Sequence, residues 1–270
     1  MNDQSKTFGF IGTGNMGGAV ARAIRRTQMG SQILLSNRSP EKARILAEEL
    51  EAKVTDNLTV AQHANYIFLG VKPQMMADML AEIAPVLAGR QDRFLMVSMA
   101  AGLTIVRIQE MAGGNYPTIR IMPNTPVSVG EGMILYTCSP DVTAGDLQTF
   151  LDACKAAGRF SCLPEHLIDA ASAVSGCGPA FADLFLEALA DGGVACGLPR
   201  SQALEYAAQM LAGAAKLALE SGQHPGTLKD AVCSPGGTTI QGVRKLEESG
   251  FRGAVMNAVI AAYEKTLELK

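Results

Sequence analysis

The N-terminal part of the chain alternates short, nearly continuous apolar runs with stretches whose apolar residues recur at helical spacing. The runs predict strands at 7–11, 33–36, near 54, 66–71, 94–98 and 118–122, and a seventh at 133–137 that closes the edge of a sheet. Helices are predicted at 19–26, 40–50 and 75–87, the second with Ser39 as its N-cap. This alternation is typical of βαβ units, so we expect an α/β fold with a doubly wound parallel sheet.

Beyond about residue 164 the strand pattern ends, and the rest of the chain has helical spacing almost throughout. Glycine and proline interrupt it at 197–199, 222–226, 234–237 and 250, which predicts successive helices joined by tight turns. These helices are rich in Ala and Gly, which permit close packing and leave more packing surface than one chain is expected to cover. We therefore predict a doubly wound domain at 1–163, an all-helical domain at 164–270, and a homodimer formed through the helical domain.

Composition narrows the classes of protein to which the chain can belong. Among its 270 residues, 23 Lys and Arg stand against 26 Asp and Glu, a formal charge of −3, so neither nucleic acid nor an anionic membrane is an expected partner. Hydrophobic residues make up 48% and charged residues 18%, which excludes intrinsic disorder. No uninterrupted apolar run approaches the roughly 18 residues of a membrane span. Small molecules and further copies of the chain are the partners expected.

Cysteine usage and the N-terminal sequence point to the cytoplasm. The N-terminus lacks the basic region, apolar stretch and cleavage site of a signal peptide. The six cysteines are far apart without a C-x-x-C pair, and there are three histidines. We therefore expect free thiols, no disulfide framework and no metal site.

A glycine-rich turn follows the first predicted strand and opens a helix. In this context the first glycine permits a tight turn, the second lets backbone N–H groups approach a pyrophosphate, and the third lets helix and strand pack closely. The helix N-terminus attracts the anion. The turn predicts a dinucleotide-binding Rossmann domain, with an ordinary glycine-rich turn as the alternative. Its residues are Gly12, Thr13, Gly14, Asn15, Met16 and Gly17.

The end of the second strand indicates which dinucleotide binds. About twenty residues past the glycine-rich turn, NAD-binding proteins place an acidic residue that accepts a hydrogen bond from the ribose 2′-hydroxyl. This chain has Asn37 there, followed by Arg38 and Ser39, so a guanidinium stands where a 2′-phosphate would lie. NADP(H) is favoured over NAD(H), and a solvated polar loop is the alternative.

Further candidates lie after later strands and at one helix start. Lys72 and Met99 follow strands at the edge where doubly wound sheets bind ligands, and we assign Lys72 to the cofactor site, not to acid–base chemistry. In the helical half, two glycines followed by two threonines form a row of N–H donors and hydroxyls suited to a carboxylate. A capped turn between helices explains the same four residues equally well. They are Gly236, Gly237, Thr238 and Thr239.

Together these motifs resemble the Δ1-pyrroline-5-carboxylate reductase family along essentially the whole chain. Dinucleotide motifs are widespread, so the motifs of the helical half carry the likeness. The matching segments are 12–17, 71–73, 100–102, 122–126, 175–180, 198–200, 224–226, 228–230 and 234–239. The resemblance implies reduction of 1-pyrroline-5-carboxylate to L-proline by NAD(P)H, the last step of proline biosynthesis. It also implies an interlocked dimer that assembles into rings of dimers.

The resemblance further implies which residues contact each ligand. Thr239 is expected to be the catalytic residue, its hydroxyl hydrogen-bonding the ring nitrogen, with Glu165, Gly236, Gly237 and Thr238 also on the substrate side. Position 231 holds Ala where animal members have Asn, so that side-chain contact does not transfer. With the residues derived above, the expected cofactor contacts are Ile11, Gly12, Thr13, Gly14, Asn15, Met16, Gly17, Asn37, Arg38, Ser39, Asn57, Gly70, Val71, Lys72, Pro73, Met99, Ala100 and Ala101.

Two alternatives stay open at this point. The related β-hydroxyacid dehydrogenases and imine reductases share the two-domain layout, but a hydroxyacid dehydrogenase has a lysine about one turn into its interdomain helix. The corresponding stretch here, 179–183, contains none. A protein that binds NADPH without turnover is the non-enzyme alternative, against which the Gly-Gly-Thr-Thr turn argues. Hydride transfer to a protonated C=N needs positioning and polarisation but no protein nucleophile.

Overall fold

The computed structural model describes residues 6–268, whose strands form one eight-stranded sheet. The strands are β1 (Phe8–Ile11), β2 (Ile33–Ser36), β3 (Lys53–Val54), β4 (Tyr66–Leu69), β5 (Leu95–Ser98), β6 (Thr118–Met122), β7 (Gly132–Cys138) and β8 (Gly158–Cys162). Their order is β3-β2-β1-β4-β5-β6-β7-β8, and only β6 and β7 are antiparallel neighbours. The strand order reverses between β1 and β4, which opens a crevice at the carboxyl ends of these strands.

Helices cover both faces of the sheet and make up the C-terminal part of the chain. They are α1 (Asn15–Arg25), α2 (Pro40–Leu50), α3 (Asn57–His63), α4 (Met76–Gly89), α5 (Ile105–Ala112), α6 (Ala144–Cys154), α7 (Ile168–Ser175), α8 (Gly178–Ala195), α9 (Arg200–Ser221), α10 (Pro225–Ala231), α11 (Thr238–Glu248) and α12 (Phe251–Glu268).

The central strands are buried on both faces, as their continuous apolar runs require. On one face Phe10 of β1 stacks on Phe68 of β4, with ring centroids 4.4 Å apart, in a cluster that includes apolar residues of α1 and α6. On the other face Ile67 and Leu69 join a second cluster with the apolar side of α4. Because packing holds these strands from both sides, the turns that follow them are placed with little freedom.

The predicted strands are confirmed, with two corrections at one end of the sheet. The seventh strand does not close the edge, because β8 lies beyond it, and it runs antiparallel to β6, so the sheet is mixed. The sequence pattern misses β8 because this edge strand is only partly buried, and Arg159 and Ser161 interrupt its apolar residues. Helices α3, α5 and α6 were not predicted from the sequence.

The described chain divides into two compact units. The first ends at Gly176 and also includes the end of α12 from Tyr263, and the second runs from Cys177 to Ala262. The division lies later than the boundary expected at 163/164, because α7 buries Ile168 in a cluster with Met122 and Leu135 of the sheet. Residues 1–5 and 269–270, which the expected domain bounds include, lie outside the described residues. The expectation that no signal peptide is present rests in part on residues 1–5.

The second unit is helical, and its helices end where the sequence predicts. Each predicted break contains a glycine with positive φ, at 197, 222, 236 and 250, so the chain turns there at no steric cost. Helices α8 and α9 pack together. The ring centroids of Phe185 in α8 and Phe251 in α12 lie 5.7 Å apart.

Large apolar side chains remain exposed on the second unit. Leu184 is 68% exposed, Leu219 64% and Met256 60%, whereas the buried apolar residues between 177 and 262 are three alanines. By length and composition alone, Glu165–Ala195 is the one stretch of the described chain that could cross a membrane, and little of it is buried. The unit therefore leaves many large apolar side chains in water, as is typical of a surface that another molecule covers.

An ion pair at the end of the sheet where the parallel strands begin joins the segment before β5 to the start of α6. The guanidinium of Arg93 donates to both carboxylate oxygens of Asp146, at 2.6 to 3.2 Å, and Asp146 also forms a capping box with Thr143. Burial alone would raise the pKa of Asp146, but the hydrogen bonds from Arg93 and Thr143 outweigh it and lower this pKa to about 2. The ionised carboxylate therefore stabilises this edge.

Candidate active site

A cleft of about 530 Å³ lies at the carboxyl ends of the strands beside the reversal of strand order. Ten of the residues expected to contact the cofactor line it: Ile11, Gly12, Gly14, Asn37, Arg38, Ser39, Asn57, Gly70, Val71 and Lys72. The other expected cofactor contacts are not among its lining residues: Thr13, Asn15, Met16, Gly17, Pro73, Met99, Ala100 and Ala101. The structure thus brings together residues from four separate sequence segments at one place.

The glycine-rich turn is fitted against the next strand so closely that only glycine is possible at its first and last positions. Gly12 has φ +98°, and a Cβ there would lie 2.7 Å from the carbonyl carbon of Gly70. A Cβ on Gly17 would lie 2.3 Å from the carbonyl oxygen of Gly12. At Gly14, in contrast, a Cβ would meet nothing within 4 Å, so this position opens into the cleft. That is the arrangement a pyrophosphate needs for close approach to backbone.

The N-terminus of α1 has anion-binding capacity that the protein itself does not use. Gly14 is the N-cap and offers no side chain to the first-turn N–H groups, and the first turn contains no acidic residue. The N–H groups and the helix dipole therefore remain available to an anion in the cleft. Asn37 braces the turn from the side, because its Oδ1 accepts from the N–H of Thr13 at 3.2 Å and its Nδ2 donates to the Ser39 carbonyl at 3.1 Å.

Two cations stand at one end of the cleft without a carboxylate partner in the described chain. The Arg38 guanidinium has only the Met75 sulfur, 3.9 Å away, as a hydrogen-bond contact, and the exposed ammonium of Lys42 forms no ion pair there. Ser39 is the N-cap of α2, as predicted, but its side chain makes no capping hydrogen bond. Arg38, Ser39 and Lys42 are therefore free to bind a phosphate, whereas the Asn37 amide is already engaged. The donor set fits the 2′-phosphate of NADP(H).

A chain of polar contacts forms another part of the cleft lining. The hydroxyl of Ser36 donates to Oδ1 of Asn57 at 2.6 Å, and Nδ2 of Asn57 donates to the Glu82 carboxylate at 2.8 Å. Asn57, an expected cofactor contact, is thereby fixed at the first position of α3. Glu82 belongs to a set of lining residues that the sequence reasoning missed.

The missed lining residues share one signal. Apart from Lys42 they lie at and beyond the start of α4, with spacings of three, one and three residues, which places them on one helix face. The signal is a predicted helix that directly follows a strand whose end binds ligands, with polar residues spaced so that they share one face of that helix. The missed residues are Lys42, Met75, Asp78, Met79 and Glu82.

Glu165, expected on the substrate side, lies in the first unit within a partly buried ionic cluster. Its Oε1 accepts from the N–H of Ile105 at 2.8 Å and from Nη1 of Arg120 at 3.3 Å. Nη2 of Arg120 donates to Asp169 at 2.8 Å. Arg120 is 1% exposed and Glu165 29%, so the cluster reaches solvent through Glu165. Sequence reasoning assigned Arg120 to a strand only, although a charged residue in a buried apolar strand is itself a signal.

The remaining expected substrate contacts lie in the second unit, at the start of α11. Gly237 is the N-cap, its N–H donates to the Ser234 carbonyl at 3.0 Å, and Gly236 has φ +71°. Thr238 and Thr239 occupy the first two helical positions and are exposed, and no side chain caps the helix. The turn therefore presents free N–H groups and two hydroxyls, as the sequence predicted.

The side chains that could supply other chemistry are not arranged for it. Among the described residues no three His, Cys, Asp or Glu side chains are grouped so as to hold a metal ion. All six cysteines are unpaired, and burial raises the pKa of the Cys138 thiol to about 11. No disulfide joins the cysteines of the described chain.

Comparisons with known proteins agree with this geometry. A family model described as pyrroline-5-carboxylate reductase dimerisation matches residues 165–269, and one described as NADP oxidoreductase, coenzyme F420-dependent, matches residues 7–102. The pyrroline-5-carboxylate reductase of Escherichia coli (strain K12) is 42% identical over 267 residues, covering 98% of each chain. That of Pisum sativum is 40% identical over 98% of this chain and 96% of its own length.

A solved structure gives the same answer for the fold. The Plasmodium falciparum pyrroline carboxylate reductase, crystallised with NADP bound, superposes with a TM-score of 0.87 at 33% identity, covering 98% of both chains. Sequence similarity at this level over nearly the full length spans both the glycine-rich cleft and the Gly-Gly-Thr-Thr turn. The chain belongs to the pyrroline-5-carboxylate reductase family.

Proposed function

We propose that this protein is an NADPH-dependent oxidoreductase that reduces 1-pyrroline-5-carboxylate to L-proline, the last step of proline biosynthesis. Near full-length similarity to enzymes named for this activity supports the proposal. The observation that carries it is the pairing of a cleft suited to NADP(H) with a second turn suited to a carboxylate, each built from separate parts of the chain.

The cleft residues would hold the cofactor in an order that follows the strands. The first-turn N–H groups of α1, above the open position at Gly14, would bind the pyrophosphate, and Arg38 with Lys42 would bind the 2′-phosphate. Bound NADPH supplies a hydride. Because the cleft lacks an acidic residue at position 37, we propose that NADPH is preferred and that NADH is used less well.

The Gly-Gly-Thr-Thr turn would hold the substrate through its carboxylate. N–H groups at the start of α11 and the Thr238 hydroxyl are donors without partners in the helix, and the helix dipole favours an anion there. The Thr239 hydroxyl is both donor and acceptor, so it can accept from the N–H of a protonated imine and donate to the lone pair of the amine product. Thr239 thus serves both states without changing its own charge.

The reaction needs no protein nucleophile. Hydride addition to the carbon of a protonated C=N moves the π electrons to nitrogen and leaves a neutral ring amine. What the protein must supply is orientation of the ring and hydrogen bonding to its nitrogen. Thr239 is proposed to provide the hydrogen bond, and Glu165 is proposed as a further substrate contact.

A direct assay tests the activity. Purified protein is incubated with 1-pyrroline-5-carboxylate and NADPH, oxidation of NADPH is followed by absorbance, and proline is identified in the product. Turnover that requires both compounds is expected. A β-hydroxyacid with NADP⁺ is the control substrate, and oxidation of that acid in place of imine reduction would overturn the proposal. NADPH binding without turnover would instead indicate a sensor.

We further propose a homodimer formed through the helical unit, assembled into rings of dimers, and located in the cytoplasm. The match to a family model for dimerisation and the exposed apolar side chains of this unit support the dimer. Covering such a surface by a second copy would remove it from water, and neither nucleic acid nor a membrane is needed as a partner. Sedimentation of the full-length protein measures the assembly, and a monomer at micromolar concentration would overturn the dimer.

A further inference from the structure

Arg120 occupies a position in the sheet at which a charged residue is costly. It lies in β6 between Ile119 and Ile121, is 1% exposed, and pairs in register with Ser98, the last residue of β5. Its Nε is buried without a hydrogen-bond partner in the described chain. An apolar residue at this strand position would avoid the desolvation of the guanidinium, so packing alone does not account for an arginine.

The guanidinium and one backbone N–H fix a single oxygen of Glu165. Oε1 accepts from Nη1 of Arg120 at 3.3 Å and from the N–H of Ile105 at 2.8 Å. Oε2 has no hydrogen-bond partner in the described chain, and the side chain is 29% exposed. Asp169 holds Nη2 of Arg120 from the other side at 2.8 Å and is itself only 4% exposed. The arrangement leaves Oε2 of Glu165 as the accessible acceptor of the cluster.

The exposed carboxylate of the cluster fits a cation. Two carboxylates hold the Arg120 guanidinium, and Glu165 is the one that reaches solvent. A protonated cyclic imine is a small cation, which a nearby carboxylate attracts. The cluster also lies at the edge where β5 ends, directly before Met99, one of the expected cofactor contacts.

We propose that Arg120 is a positioning residue: together with the Ile105 N–H it holds Glu165 so that Oε2 lies beside the positively charged ring of the substrate. This rests on the proposed function, because it takes 1-pyrroline-5-carboxylate as the substrate. Loss of the hydrogen bond from this anchor, Arg120, leaves Glu165 in place but free to rotate. Substrate binding and orientation are therefore expected to weaken, whereas NADPH binding is not.

The first test combines Arg120→Lys with Glu165→Gln. Lysine keeps the positive charge but cannot bridge both carboxylates. Glu165→Gln is expected to raise KM for 1-pyrroline-5-carboxylate about ten-fold and Arg120→Lys about three- to ten-fold, with KM for NADPH within about two-fold of wild type. The double variant should resemble Glu165→Gln alone, since an anchor has no effect without the group that it holds. Arg93→Lys, which alters a partly exposed ion pair elsewhere in the same unit, should leave both KM values unchanged.

A second pair of variants removes the other donor and keeps the test valid if Arg120→Lys does not fold. Ile105 is the first residue of α5, where proline is tolerated, and the preceding Thr104 has the extended backbone that a following proline requires. Ile105→Pro removes the N–H and the side chain, whereas Ile105→Ala removes only most of the side chain. The proline variant should raise KM for the imine more than the alanine variant does, at comparable melting temperatures.

The outcomes separate this inference from the proposed function. Wild-type protein without imine reduction would overturn the proposed function and this inference with it. With active wild type, the inference is overturned if Glu165→Gln leaves KM unchanged, if Arg120→Lys lowers only the melting temperature, or if the effects of the two substitutions multiply in the double variant.

Discussion

Arg38→Ala is the substitution that best tests how the cleft selects its cofactor. Arg38 is exposed, lines the cleft, and has no carboxylate partner in the described chain. Its removal therefore breaks no ion pair within the protein, and the melting temperature is expected to change by no more than about 2 °C. Any loss of cofactor affinity can then be assigned to the contact with the ligand.

The expected magnitude follows from the strength of a charge-assisted hydrogen bond. Such a contact to a phosphate contributes about 1.5 to 3 kcal/mol, or roughly ten- to a hundred-fold in affinity. Arg38 is exposed to water and Lys42 remains beside it, so the lower end applies, about ten-fold for NADPH. NADH lacks the 2′-phosphate and should lose less than about two-fold. The effect should shrink as ionic strength rises, because exposed charges are screened.

The assay compares kcat/KM for NADPH and NADH, with dissociation constants from fluorescence titration. Arg44→Ala is the matched control, because Arg44 is an exposed arginine of the adjoining helix that faces Glu41 at 3.9 Å and does not line the cleft. This substitution should leave kcat/KM and the dissociation constants of both cofactors unchanged. Equal losses of NADPH and NADH for Arg38→Ala would refute the assignment and place Arg38 against the adenosine that both cofactors share.

Other substitutions test separate parts of the molecule. Gly17→Ala puts a Cβ 2.3 Å from a backbone oxygen and should lower the melting temperature by at least about 5 °C. Gly14→Ala puts a Cβ where nothing lies within 4 Å, so it should leave the melting temperature unchanged and weaken NADPH binding in a titration. Thr239→Ala should lower kcat about ten- to a hundred-fold with NADPH affinity unchanged, and Thr239→Ser should recover much of the rate; a loss of activity that only follows the melting temperature would contradict this. The pKa of Asp146 is lowered to about 2, so its ion pair stabilises the fold above about pH 4 and is lost as pH falls toward 2. Asp146→Asn should therefore lower the melting temperature near neutral pH and have little effect near pH 2, and an equal loss at both would contradict the ionic cause. Leu184→Lys, at a side chain 68% exposed on α8, should shift sedimentation toward a monomer, and an unchanged dimer would place the interface elsewhere.

The sequence alone determined those features that depend on neighbouring residues. The apolar run of β1 followed by Gly12 and Gly17 predicted both a strand and the turn after it, because steric limits at each glycine are local. The absence of an acidic residue at position 37 is likewise visible without coordinates, and it predicts NADP(H) as the favoured cofactor. The breaks between the C-terminal helices were predicted for the same reason, since a glycine with positive φ ends a helix wherever it occurs.

Only the tertiary structure decided which distant residues meet. Arg120 and Glu165 lie 45 positions apart, and no periodicity relates them; they meet because β6 lies inside the sheet and the chain returns past β8 to the same edge. Asn37 was predicted as a cofactor contact and lines the cleft, but only the structure shows that its amide also braces the glycine-rich turn at Thr13. Sequence patterns specify which face of an element is buried, whereas strand order and register, which depend on the packing of the whole sheet, specify its neighbours.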